Sequence, residues 1–207
     1  MINPNVLERL NDFDHVTNKN DIILMNEMGF TVDQYVINYQ NALKLASKNN
    51  LASDKKVSLL TNPKKYANED PQVLTDGALG GNSFYSNWLG FEGNDLDAII
   101  DLDSIQVINN LSLNFLQVTN HIVFYPLQVQ FEISRDSVSW KSFPIILNEL
   151  SLSPKSKVND IQTFSQVVNK EKARYIRVIG SNIEKAPLWH HGADLPSWIF
   201  ADELIVE

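Results

Sequence analysis

Apolar positions along the chain fall into two regions of different period. In residues 1–50 they recur at helical spacing. Asn3-Pro4 suits the opening of a short helix, because proline is tolerated at its first position, and Val6, Leu7 and Leu10 then share a face. A second segment begins at Thr31-Val32-Asp33-Gln34, a capping-box sequence in which the Thr hydroxyl and the Gln amide satisfy free backbone amides reciprocally. Val32, Tyr35, Val36, Tyr39, Leu43 and Ala46 follow as one stripe, and Asn49-Asn50 supplies a stop. A stripe of this kind cannot be buried by its own helix, so the segment is expected to pack on a neighbouring domain.

From Val57 the period changes to two. Leu127-Gln-Val129-Gln-Phe131-Glu-Ile133 alternates apolar with polar, as a strand with one wet face does. Ala98–Leu102, Leu111–Phe115, Tyr175–Val178 and Trp198–Val206 add short strands, separated by clusters of Gly, Asn, Asp, Ser and Pro at 76–87 and 151–160. Many short strands without intervening helices predict a β-sandwich or barrel. The expected organisation is a helical N-terminal segment over 1–55 and a β module over 56–207.

Composition narrows the function classes. The chain has 207 residues, a formal net charge of -8 and no basic cluster longer than Lys55-Lys56 or Lys64-Lys65, which argues against nucleic acid as a partner. The surplus of carboxylates leaves room for a hard cation such as calcium. There are no cysteines, so disulfides, thiolate catalysis and Cys-based zinc sites are excluded. MINPNVLERLNDFDHV has no basic region followed by an apolar run, and no apolar stretch approaches membrane-spanning length. The chain is therefore either cytosolic or a piece whose export signal lies elsewhere.

Four stretches, in order, carry a family resemblance: Leu74-Thr75-Asp76-Gly77 followed by Trp88; Ile133-Ser134-Arg135-Asp136-Ser137-Val138-Ser139-Trp140; Ala173-Arg174-Tyr175-Ile176-Arg177-Val178; and Ala201-Asp202-Glu203-Leu204-Ile205-Val206. Over about 130 residues they resemble the discoidin-like, or coagulation-factor-5/8 type C, domain, with Ser137 where that family usually has glycine. Asn87–Gly93, Pro187-Leu188-Trp189-His190 and Trp198–Glu203 look like C-terminal modules of Bacteroidetes-type glycoside hydrolases, β-hexosaminidase-like enzymes among them. The resemblance implies a mainly β, discoidin-like jelly-roll sandwich of the galactose-binding type, working outside the cytoplasm (periplasmic or extracellular). It also implies that residues 1–55 are the tail of, or linker from, a preceding catalytic domain.

The resemblance further implies a structural calcium. Its side-chain ligands would be Asp76 and Glu203, with carbonyl oxygens near Val73, Gly81 and Ala201. The residues agree in kind, since the 76–87 loop is dense in Gly, Asn and Ser and can turn carbonyls inward around a hard cation. Glu203 shares strand parity with Ala201 and Ile205, so it is expected to point toward the packed side and to need a partner there. Trp88 and Trp140 read as core. Arg174 and Arg177 alternate across one strand, so one is expected to clamp a carboxylate and the other to meet solvent.

Sugar binding in such modules uses loops at one end of the barrel, where an aromatic face meets the pyranose and planar polar groups meet its hydroxyls. His121, Tyr125, Trp189, His190 and His191 are the expected ligand contacts, with Asn120, Phe124 and Trp198 beside them. Trp198 is expected to face the core and His190 the surface. The competing reading is a scaffold that buttresses a catalytic domain, because Leu188, Leu195 and Ile199 make the same stretch apolar. An enzyme is the third reading and the weakest. His190-His191-x-x-Asp194 lacks a metalloprotease helix, no pair of carboxylates stands out, and no nucleophile-elbow, P-loop or dinucleotide fingerprint occurs.

Overall fold

Alternating apolar and polar residues build eight strands in the computed structural model, which describes residues 49–64, 69–81, 87–148 and 160–207. They are β1 (Lys56–Leu59), β2 (Leu89–Glu92), β3 (Leu96–Gln117), β4 (Gln128–Ser134), β5 (Trp140–Ser142), β6 (Ile146–Leu147), β7 (Asp160–Ser181) and β8 (Trp198–Val206). Every ladder is antiparallel, in the order β2-β8-β3-β7-β4-β5, with β1 added on β3 and β6 on β4. The helices expected over residues 1–50 lie outside the described residues, apart from their last two positions. Among the described residues no helix is long and apolar enough to cross a membrane.

β3 and β7 each run for 22 residues, far beyond the usual strand of about six, and pair from Leu96–Gly180 to Gln117–Asp160. The ladder shifts register between Asp101 and Gln106 and again between Ile108 and Asn110. Extra residues of this kind bend a strand. Before the shift β3 pairs with β1; after it, with β8. One sheet thus curls over itself into a jelly-roll sandwich.

The inward side chains of both halves meet in a single core, with Ile100, Phe115, Phe131, Phe164, Ile176 and Val178 all buried. Phe115 and Phe164 meet edge to face, 5.5 Å between ring centroids, a favoured aromatic geometry. A satellite cluster of Trp88, Leu116, Val118, Val123 and Phe200 lies under the loops at one end.

Residues 51 and 52 pack on the sandwich: Ala52 is fully buried in the core, and Leu51 N–H donates to Val206 O at 2.8 Å. Two expectations change. Trp88 is wholly buried, but Trp140 is only partly so, because β5 is a three-residue strand at the edge of the sheet. Both arginines clamp carboxylates. Arg174 holds Asp101 through two bonds of 2.7 and 2.8 Å; Arg177 holds Asp97 at 2.8 and 2.7 Å and reaches Glu132 at 3.1 Å. The register shift beside Arg174 breaks the simple alternation on which opposite faces were expected.

Candidate functional site

Two centres stand out, one built from carboxylates and one from rings. The first forms at a register shift in β8: Ala201 and Leu204 both face the core, and between them Asp202 and Glu203 are both buried against the 76–81 loop. Beyond Ala201 the strand has no β2 partner, and the 76–81 loop and residues 50–52 take that edge. The loop amides then serve the acids. Gly77 N–H donates to Glu203 Oε2 at 2.9 Å, Gly80 N–H to Asp202 Oδ2 at 2.8 Å, and Ala78 N–H to Asp76 Oδ1 at 2.9 Å. Asn87 Nδ2 reaches Asp76 at 3.1 Å, and Asn50 Nδ2 reaches Glu203 Oε1 at 2.8 Å. Gly77 takes φ of +79°, the left-handed turn that aims its amide at Glu203.

The electrostatics follow from burial. Loss of solvent, reinforced by Asp76 and Asp202 and opposed by the Gly77 amide, pushes Glu203 up to about 9. Burial likewise holds Asp202 well above the ordinary carboxylate range. A concentration of negative charge this deep favours either a proton or a cation.

The donor chemistry fits calcium in kind, with hard carboxylate oxygens beside a loop rich in carbonyls. Among the described residues, however, no three His, Asp or Glu side chains are arranged around one metal position, so a cation here would draw on two carboxylates and on backbone oxygens. Of the expected carbonyl contributors, Gly81 O accepts from Trp88 Nε1 at 3.0 Å. Val73 is buried in the short 3-10 turn Pro71–Leu74, and Ala201 is paired on both sides, with Leu89 and Phe115.

The second centre joins two loops at the end of the sandwich where β3 finishes and β8 begins. His190 is the tie. Its Nδ1 accepts from Gly192 N–H at 2.9 Å, which leaves the ring proton on Nε2, and Nε2 donates to Thr119 O at 2.6 Å. Trp198 N–H donates to Ile122 O and Phe124 N–H to Trp198 O, both at 2.9 Å, closing the same seam. Gly192 has no room for a side chain: a Cβ there would lie 2.7 Å from Ile122 Cδ1. Phe124 meets Trp189 and His190 edge-on, with centroids 6.2 and 5.8 Å apart, and His191 stands 4.2 Å from His190.

The expected ligand residues therefore divide. His121 and His191 are exposed, and Trp189 is partly exposed. Tyr125 is not on the surface: it is 1% exposed, within the main core, and burial, then Asp160, raises its hydroxyl well above the ordinary tyrosine range. His190 is 6% exposed with both ring nitrogens bonded inside the protein, so it braces the loops. This also removes it as a zinc ligand or a catalytic base. Trp198, expected in the core, is partly buried, packing on the satellite cluster and stacking on Phe200 at 5.4 Å.

Sequence reasoning missed two asparagines. Asn182 Nδ2 donates to the carbonyls of Phe91, Asn94 and Ser197 and gathers the base of the ring-bearing loop. Asn50, read as a helix stop, reaches the carboxylate centre. No local pattern marks either one, because all their partners except Ala52 and Glu184 are distant in sequence. A cleft of about 270 Å³ opens at the far end of β4, beside Arg135, Lys141 and Lys172, but it holds no aromatic ring and lies away from both centres.

No protein-family model and no curated protein matches the chain. Similar solved structures exist. One is CBM32-1 from a family 31 glycoside hydrolase of Clostridium perfringens, 16% identical, covering 76% of this chain and 96% of that one, TM-score 0.49. Another is a Streptococcus pneumoniae fucose binding module, 15% identical, covering 76% and 94%, TM-score 0.46. A third is CpGH89CBM32-4 of Clostridium perfringens in complex with GlcNAc-α-1,4-galactose, 19% identical, covering 78% and 96%, TM-score 0.44. At these identities the ligand of this chain must be read from its own residues.

Proposed function

We propose that this chain is a non-catalytic carbohydrate-binding module that accompanies a glycan-degrading enzyme. The observation that carries the reading is Trp189. Its indole is braced edge-on by Phe124 and His190 and keeps part of its surface in solvent, with exposed His191 in the same ring cluster. Exposed His121 sits on the loop that His190 grips. A rigid ring beside imidazole groups supplies what a pyranose needs: an apolar face and directional polar partners. The test is calorimetric titration with galactosides, N-acetylhexosamines, uronic-acid sugars, fucose and GlcNAc-α-1,4-galactose, the last two being sugars for which similar solved modules are named. Binding that Trp189→Ala abolishes without lowering Tm supports the reading. Absence of binding to all of them overturns it.

A second reading has its own observation. Leu188 is 85% exposed and Leu195 53%, and both flank the ring cluster. Two bare leucines suit a protein interface better than a sugar, so the same loop would then buttress an adjacent catalytic domain. Association with that domain, lost in Leu188→Asp and accompanied by no sugar binding, is the result that favours it.

For the carboxylate centre we propose one structural calcium on Asp76 and Glu203, completed by carbonyl oxygens of Val73, Gly81 and Ala201. The support is the burial of both acids next to Asp202. Bound, the ion would neutralise the centre and fix the 76–81 loop. Calcium should raise Tm, EDTA should lower it, and Asp76→Asn should remove the difference. A melting temperature indifferent to EDTA refutes the ion.

A further inference from the structure

The side chain of Asn50 makes four hydrogen bonds, which is all an amide can make. Nδ2 donates to Glu203 Oε1 and to Leu204 O, both at 2.8 Å. Oδ1 accepts from Ala52 N–H at 3.0 Å and from Val206 N–H at 2.8 Å. Three of these bonds cross to β8, more than 150 positions away. They sit where the chain joins the sandwich, next to Leu51 N–H on Val206 O. Glu203 is left with one donor on each oxygen: Asn50 on Oε1 and Gly77 on Oε2.

We infer that Asn50 is the positioning residue of the carboxylate centre, fixing the Glu203 carboxyl and thereby coupling the junction at residues 49–52 to that centre. The physical argument is one of inventory. Serine lacks the second donor, and aspartate lacks both donors. Glutamine adds a methylene to a site already closed on four sides. The two halves of the amide also do different work. Oδ1 staples backbone to backbone, whereas Nδ2 alone reaches the acid. Since the junction and the acid share one planar group, neither can move without the other. The inference depends on neither the sugar nor the calcium reading.

The halves can be separated by exchanging amide and acid. Asn50→Asp keeps the acceptor for Ala52 and Val206 but removes the donors to Glu203 Oε1 and to Leu204 O. Adding Glu203→Gln restores a donor–acceptor pair in reverse, with the Gln amide donating to Asp and its oxygen still accepting from Gly77. Thermal melts of the full chain in EDTA, with no sugar present, read the result. Asn50→Asp should lower Tm by about 5 °C in the native background, and by less in the Glu203→Gln background, where only the bond to Leu204 O stays lost. Backbone amide exchange at Ala52 and Val206 should quicken about tenfold in the single variant and recover in the double one. If Asn50→Asp costs the same in both backgrounds, Asn50 is a backbone staple only and the inference fails. Should Asn50→Asp not fold alone, recovery of folded protein in the double variant supports the inference, and its absence overturns it.

Discussion

His190 Nε2 lies 2.6 Å from the carbonyl oxygen of Thr119, so two residues 71 positions apart lock the ring-bearing loop onto the end of β3. The carbonyl can only accept, and Gly192 N–H can only donate to Nδ1. One neutral tautomer satisfies both. His190, expected to meet a sugar, thus has both ring nitrogens engaged within the protein.

Removing this tie should loosen the loops without unfolding the sandwich. His190→Ala loses two buried hydrogen bonds and ring packing against Phe124 and Trp189, a cost of about 2–3 kcal/mol. His190→Gln keeps a donor for Thr119 but no acceptor for Gly192 and should lose about half of that. Urea denaturation measures both. Amide exchange should quicken at Gly192 and His121 and stay slow in β3 and β7.

The carboxylate centre sets a pH dependence whose sign is fixed by burial. Glu203 is pushed up to about 9 in the folded chain, against an ordinary 4.5. Between those values the folded state holds a proton that the unfolded state has released. Stability must therefore fall as pH rises through that window, and Asp202 acts in the same sense. In EDTA, Tm should decline from pH 5 to pH 9, and Glu203→Gln should flatten the slope. A slope unchanged by the substitution would show that Glu203 is ionised throughout.

Gly80 faces the Trp88 indole so closely that an added Cβ would lie 2.1 Å from ring carbon Cε2. Gly80→Ala must displace either the ring or the loop whose amide serves Asp202. A loss of about 2–3 kcal/mol is expected, accompanied by a shift in tryptophan fluorescence. Substitution at Gly77, where no atom lies within 4 Å but φ is +79°, should cost less, about 1 kcal/mol, and only through backbone strain.

Ser137 occupies the hairpin position with φ of +61°, a left-handed conformation that glycine adopts freely. Asp136 organises the turn around it, accepting from Val138 and Ser139 N–H at 2.9 and 2.8 Å. Ser137→Gly should be slightly stabilising, by about 0.5 kcal/mol, because relief of strain exceeds the entropy that glycine adds to the unfolded chain. Differential scanning calorimetry would show a small rise in Tm; a fall would mean that the serine hydroxyl matters more than its backbone angle.

The sequence by itself determined what depends on neighbours along the chain. Alternation in β4 and in both halves of β3 specified strands and their inward faces, since a period of two leaves each side chain only one side to choose. The Asp136-Ser137 hairpin was legible for the same local reason, and so was the turn at Asp76-Gly77. Parity put Glu203 in phase with Ala201 and Ile205, but a register shift between Ala201 and Leu204 breaks that phase, and Glu203 is buried against the 76–81 loop instead. Parity could not say that Asp202 is buried as well. That follows from the register shift in β8 and from the 76–81 loop, which takes both acids, and nothing in the sequence near Asp202 encodes either.

Only tertiary structure decided which polar residues are structural. Tyr125 and His190 have the composition of a ligand face, yet packing turned one into core and the other into a brace. Asn50 and Asn182 look like ordinary loop residues, yet each gathers distant backbone through an amide whose donors and acceptors all find partners. The reason is the same in each case. A buried hydrogen bond is defined by two groups brought together by the fold, and one member of the pair does not reveal the other.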